Sequence, residues 1–130
     1  MGSIFMKEWL EKAEKDSRAA KKLASDEQLW ELACFHCHQA AEKSLKAFLV
    51  FNKGKLPRIH DLETLAAMCA EIDKDFGRFA DDAIFLNPFY IISRYPSAAS
   101  DVSMDIVHAA LVAADTIIAE VRRKIEKQAQ

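Results

Sequence analysis

Arg94-Tyr95-Pro96 interrupts a chain that otherwise reads as helix, and it sets a guanidinium, a phenol and a rigid ring in succession. The guanidinium stands at a seam between an apolar, aromatic stretch, Phe85 to Ser93, and a small polar one, Ser97 to Asp101. Placed there it can form a two-pronged pair with a phosphate or a carboxylate of a ligand, or tie a helix end to a carboxylate of its own chain. Asp101 and Asp105 follow closely, suited to cap and charge-balance a helix start, to orient Arg94, or to hold a metal with a bound nucleotide. His60-Asp61 offers an imidazole beside a carboxylate, a pairing that serves acid or base chemistry or a helix start.

Cys34-Phe35-His36-Cys37-His38 contains the soft and borderline ligands that zinc prefers. Helical geometry, at about 100° per residue, puts both cysteines on an apolar stripe with Ala41 and Leu45, His38 at its edge and His36 well away from it. A tetrahedral site would need Cys69 or His60 from elsewhere, so buried apolar cysteines are the expectation, with no metal and no cofactor. Lys43 and Lys46 fall opposite the stripe, with Gln39 and Glu42 between them, which predicts a solvated polar face or a phosphate-contacting strip. His108 projects from the polar side of the last helix, towards solvent or a dimer interface.

The elements that must hold these groups follow from periodicity. Phe5, Trp9, Ala13, Ala20 and Leu23 mark a first amphipathic helix over about 4–24, with Glu8/Lys12, Glu11/Lys15 and Glu14/Arg18 on its solvated face. Ser25-Asp26-Glu27-Gln28 has the form of a capping box and predicts the start of a second helix, which runs through Trp30 and Leu45 and ends near Gly54 and Pro57. Lys53 to Ile59 reads as a loop, and a third helix starts at His60-Asp61 with Leu62, Leu65, Cys69 and Ile72 on one face. Phe76, Phe79, Ala83 and Leu86 continue at helical spacing into a shorter segment that Asn87-Pro88 should disturb or terminate. A last helix starts near Ser103 and carries Ile106, Ala110, Ala113, Ile117, Val121 and Ile125 in one stripe. The expected fold is all-α, an antiparallel up-and-down bundle of four to five helices packed through small residues. Aromatics of the Phe85 to Tyr95 stretch would mark a partner surface if they faced solvent.

With 130 residues, 51% of them hydrophobic, the chain has enough material for one core, and a single domain over 1–130 is expected. Eighteen basic and 20 acidic residues give a net charge of -2, so no global field draws the chain to nucleic acid. The three cysteines fit a reducing compartment, and no apolar run is long enough for a membrane span, so a cytoplasmic location is expected. Walker, dinucleotide-binding, Gly-x-Ser-x-Gly and His-Glu-x-x-His patterns are absent from the sequence.

Three segments in order resemble the HEPN domain, the higher eukaryote and prokaryote nucleotide-binding domain: Cys37-His38-Gln39-Ala40-Ala41-Glu42-Lys43-Ser44-Leu45-Lys46-Ala47, then Pro57-x-x-His60-Asp61-Leu62-x-x-Leu65, then Ser93-Arg94-Tyr95-Pro96. The resemblance spans about Trp9 to Ile125. It implies a helical bundle that forms homodimers and, in stand-alone members, a minimal nucleotidyltransferase as partner in a toxin–antitoxin pair. Many HEPN proteins are metal-independent RNases whose signature is an Arg followed after four to six residues by His, two such motifs meeting across a dimer cleft. In this chain Arg94 is present, but Ala99, Ser100 and Asp101 stand where the His belongs. The resemblance therefore implies a binding module for a nucleotide, RNA or nucleotidyltransferase, with Arg94, Tyr95, Lys43, Lys46 and Asp101 as ligand or partner contacts. One alternative is a divergent RNase in which Arg94 holds the scissile phosphate and His38 or His60 replaces the missing His. Another is a purely structural dimeric subunit.

Overall fold

Small side chains decide how closely these helices approach. Ala13 and Ala20 on the first helix, Ala33, Ala40, Ala41 and Ala47 on the second, and Ala110, Ala113 and Ala114 on the last are all buried. A computed structural model describes residues 2–92 and 102–130. Its elements are α1 (Gly2–Leu23), α2 (Trp30–Lys53), α3 (Leu62–Ile72), α4 (Ala80–Leu86), α5 (Phe89–Ile92) and α6 (Met104–Ala129), with 3-10 turns at Glu27–Leu29 and Lys74–Phe79. Every element among the described residues is helical, the all-α bundle that the periodicity predicts.

α2 is the axis of the bundle, packed against α1, α3, α5 and α6. Between Ala40 and Val50 every residue except Lys43 is buried, so this half of α2 has no solvated face. The expectation of a polar face carrying Lys43 and Lys46 is corrected here: α1 and the chain around His60 cover it. Phe48 and Phe76, with ring centroids 4.5 Å apart, join α2 to the turn before α4 at the centre of the core.

The ends of the elements follow local chemistry. The Ser25 capping box does not form: Ser25 Oγ donates back to the Lys22 carbonyl at 2.8 Å, and Asp26 instead caps a 3-10 turn by accepting from Gln28 N. This turn delays the start of α2 to Trp30, whose indole N–H donates to the Ala24 carbonyl at 2.9 Å. Gly54 closes α2 in the left-handed region at φ 70°, its N–H on the Val50 carbonyl. Asp61 caps α3 by accepting from Thr64 N at 3.0 Å, and Ser103 caps α6 by accepting from Ile106 N at 3.2 Å. Asn87 and Pro88 separate α4 from α5, as expected of that pair.

Candidate functional site

His38, Glu42 and Lys46 follow one another at intervals of four on α2 and so share one side of the helix. α1 covers this row with Trp9, whose ring centroid lies 5.9 Å from Lys46 Nζ. The far end of the row meets His60, at the start of α3, and Tyr90, on α5. Asn87 fixes these two elements relative to each other: its Oδ1 accepts from Leu62 N at 2.9 Å while its Nδ2 donates to Asp61. The hydrogen bonds from Thr64 and Asn87 hold the Asp61 carboxyl below the usual carboxylate range.

Glu42 is the centre of the cluster. Its side chain is 5% exposed, and one oxygen, Oε2, accepts both from Lys46 Nζ at 2.9 Å and from His60 Nδ1 at 2.9 Å. The other oxygen, Oε1, lies 3.8 Å from His38 Nδ1, beyond hydrogen-bonding distance, and makes no hydrogen bond among the described residues. His38 is fully buried; its Nδ1 meets the Gln39 side-chain oxygen at 3.2 Å, and its Nε2 likewise makes no hydrogen bond among the described residues. Burial pushes the His38 pKa down, against the weaker opposing pull of the Gln39 side chain, the Glu42 charge and the His60 backbone, so the ring is held neutral at neutral pH.

Three rings form a ladder through the same place. Tyr90 lies between His38, at a centroid distance of 5.5 Å and tilted by 42°, and His60, at 5.4 Å and near-parallel at 13°. The inner ring is sealed, whereas the His60 side chain is 58% exposed. Because Glu42 can only accept, Nδ1 of a neutral His60 carries the proton and Nε2 presents a lone pair. The site can therefore orient an imidazole, present its flat face, and offer one nitrogen for proton exchange.

The sequence candidates fall into separate groups. His38, His60 and Lys46 come together on Glu42. Lys46 is not an open contact but a buried partner of that carboxylate, 4% exposed as a residue. Lys43 stands apart, its Nζ 2.6 Å from Asp16 Oδ2, while His36 Nδ1 meets Asp16 Oδ1 at 2.9 Å. The two lysines consequently form no phosphate strip. The His60–Asp61 pairing is corrected as well: the imidazole turns to Glu42, and Asp61 acts as the α3 cap. His108 and Asp105 are exposed on α6. Arg94, Tyr95 and Asp101 lie outside the described residues.

Cys34, Cys37 and Cys69 are buried free thiols, and burial pushes their pKa values up to about 11, 12 and 12, the behaviour of core residues. No group of three His, Cys, Asp or Glu among the described residues is placed to hold a metal ion. Phe89 is buried and Phe85 and Tyr90 are half-buried, so the aromatics described in the Phe85 to Tyr95 stretch turn inward. Glu42, Tyr90 and Asn87 are the members that sequence reasoning passed over. Glu42 carried a usable signal, since a carboxylate four residues from both a His and a Lys is spaced to meet each of them on a helix.

Comparison with known proteins points one way. No curated protein matches the chain. Among solved structures, the crystal structure of ST0689, an archaeal HEPN homologue, is similar at a TM-score of 0.73 and 27% sequence identity, covering 92% of this chain and 97% of that one. The HEPN domain family matches residues 6–124, and this span includes every residue of the Glu42 cluster. The chain belongs to the HEPN domain family.

Proposed function

We propose that this protein is a nucleotide-binding HEPN module that works beside a minimal nucleotidyltransferase. The observation that carries the reading is the exposed His60 ring, fixed by buried Glu42 and backed by Tyr90 of α5, the element that leads in sequence to Arg94-Tyr95-Pro96. Arg94 supplies the phosphate contact and Tyr95 stacks or hydrogen-bonds, while Glu42 and Lys46 keep His60 in place rather than touching the ligand. Titration calorimetry with adenine and guanine nucleotides tests it. Binding that Arg94→Ala weakens at least tenfold, the order expected for loss of a charge-assisted phosphate contact, supports the reading. Failure of every nucleotide to bind contradicts it.

One observation favours a second reading, a divergent RNase. A carboxylate on Nδ1 and a free lone pair on Nε2 is the arrangement by which a histidine takes a proton from an attacking hydroxyl. In this reading His60 stands in for the histidine missing after Arg94. Incubating purified protein with RNA separates the two: cleavage lost in both Arg94→Ala and His60→Ala favours the enzyme, and intact RNA with nucleotide binding preserved favours the module.

A further inference from the structure

We propose that the open face of the His60 imidazole is where the base of a bound nucleotide stacks, as the next ring of the His38–Tyr90–His60 ladder. The inference rests on the nucleotide-binding reading and adds to it the group that recognises the base.

The geometry supplies what a stacking platform needs. The ring is flat, aromatic and 58% exposed. Tyr90 lies near-parallel to it, offset at a centroid distance of 5.4 Å and 13°, and more than half of the side chain is still exposed. Rotation of the ring is opposed by the Nδ1 hydrogen bond to Glu42 Oε2, and Glu42 is itself held by Lys46 from a position four residues along the same helix. A platform fixed before binding loses little side-chain entropy when a base settles on it. Histidine belongs with the aromatic residues on which unpaired bases stack, and such a contact needs no hydrogen-bond readout. The same ring offers no phosphate-binding fork, and Lys46 is spent on Glu42, so this cluster is suited to the uncharged end of a nucleotide rather than its phosphate.

Calorimetry with adenosine 5′-monophosphate and ribose 5-phosphate, which share sugar and phosphate and differ in the base, tests the inference. Wild-type protein is expected to bind the nucleotide about tenfold more tightly than the sugar phosphate. His60→Ala should abolish this difference, and His60→Phe, which keeps a flat ring, should retain most of it. Equal affinity of the wild type for both compounds, or a base preference that survives His60→Ala, overturns the stacking site while leaving nucleotide binding intact. Absence of binding by both compounds overturns stacking and the nucleotide-binding reading together.

Discussion

Two buried carboxylates in this molecule each hold two basic side chains, yet they spend their oxygens differently. Glu120, on α6, has a side chain 3% exposed and uses both oxygens: Oε2 accepts from Arg78 Nη2 and Oε1 from Arg123 Nε, each at 2.7 Å. Next to it Lys124 Nζ bridges Asp73 at 2.7 Å and Asp75 at 2.5 Å. The Arg123 hydrogen bond, reinforced by the charges of Arg78, Arg123 and Lys124, holds the Glu120 carboxyl below its ordinary range. Glu42 places both its hydrogen bonds on one oxygen, and its other oxygen makes none among the described residues. The Glu120 group is a saturated fastener between α6 and the Lys74–Phe79 turn. The Glu42 group instead joins α2 to the chain around His60 through a single oxygen.

The contrast is sharpest in what removal of each carboxylate costs. Glu42→Ala strands the Lys46 ammonium, whose side chain is 5% exposed, without a partner and should destabilise the fold by about 3 kcal/mol in urea titrations. Glu120→Ala frees two arginines that are 59% and 57% exposed and rehydrate readily, so its loss should be a small fraction of that. Equal losses would erase the distinction. Replacing both members of the buried pair, Glu42→Gln with Lys46→Met, should recover most of the stability lost in Glu42→Gln alone, and a double-mutant cycle that proves additive would show the pair uncoupled.

Gly54→Ala sets a scale for these effects outside both regions. Nothing lies within 4 Å of a Cβ added there, so only the left-handed backbone at φ 70° resists the change, and a loss of about 1 kcal/mol is expected.

The pH axis separates the regions most gently. Burial lowers the folded pKa of His38 from 6.5, so on acidification the unfolded chain takes up a proton that the folded chain refuses. Its contribution is present above pH 6.5 and lost below it. The melting temperature of the wild type should therefore fall more between pH 7.5 and 5.5 than that of His38→Gln. Glu120, Asp73 and Asp75 have folded pKa values depressed from 4.5, 3.8 and 3.8, so their contribution persists through that window and is lost only as pH falls further. A His38→Gln slope equal to that of the wild type would contradict the assignment.

The elements were legible in the sequence because their signals are local. Gly54 and Pro57 closing α2, Asp61 opening α3, Asn87-Pro88 dividing α4 from α5 and the stripe of α6 all act within a few residues. The site was not, because it depends on which helix is central. Lys46 and Glu42 look like a solvated polar strip until α1 and the chain around His60 close over α2, an event no periodicity on α2 itself encodes. His60-Asp61 reads as a helix start or an acid–base pair, and only Asp61 caps α3, because the carboxylate His60 meets stands eighteen residues earlier. Ser25 shows the same limit at short range, where Asp26 competed for the turn and won.

The central proposal is that the Glu42 cluster, not the Glu120 cluster, lies beside a bound nucleotide. Titrating isotope-labelled protein with adenosine 5′-monophosphate and following backbone amide and His ring resonances tests it directly. The account predicts shifts concentrated at His60, Tyr90 and Gln39, with Arg78, Glu120 and Arg123 unmoved. Shifts centred on the Glu120 cluster, with His60 silent at saturating nucleotide, would contradict it.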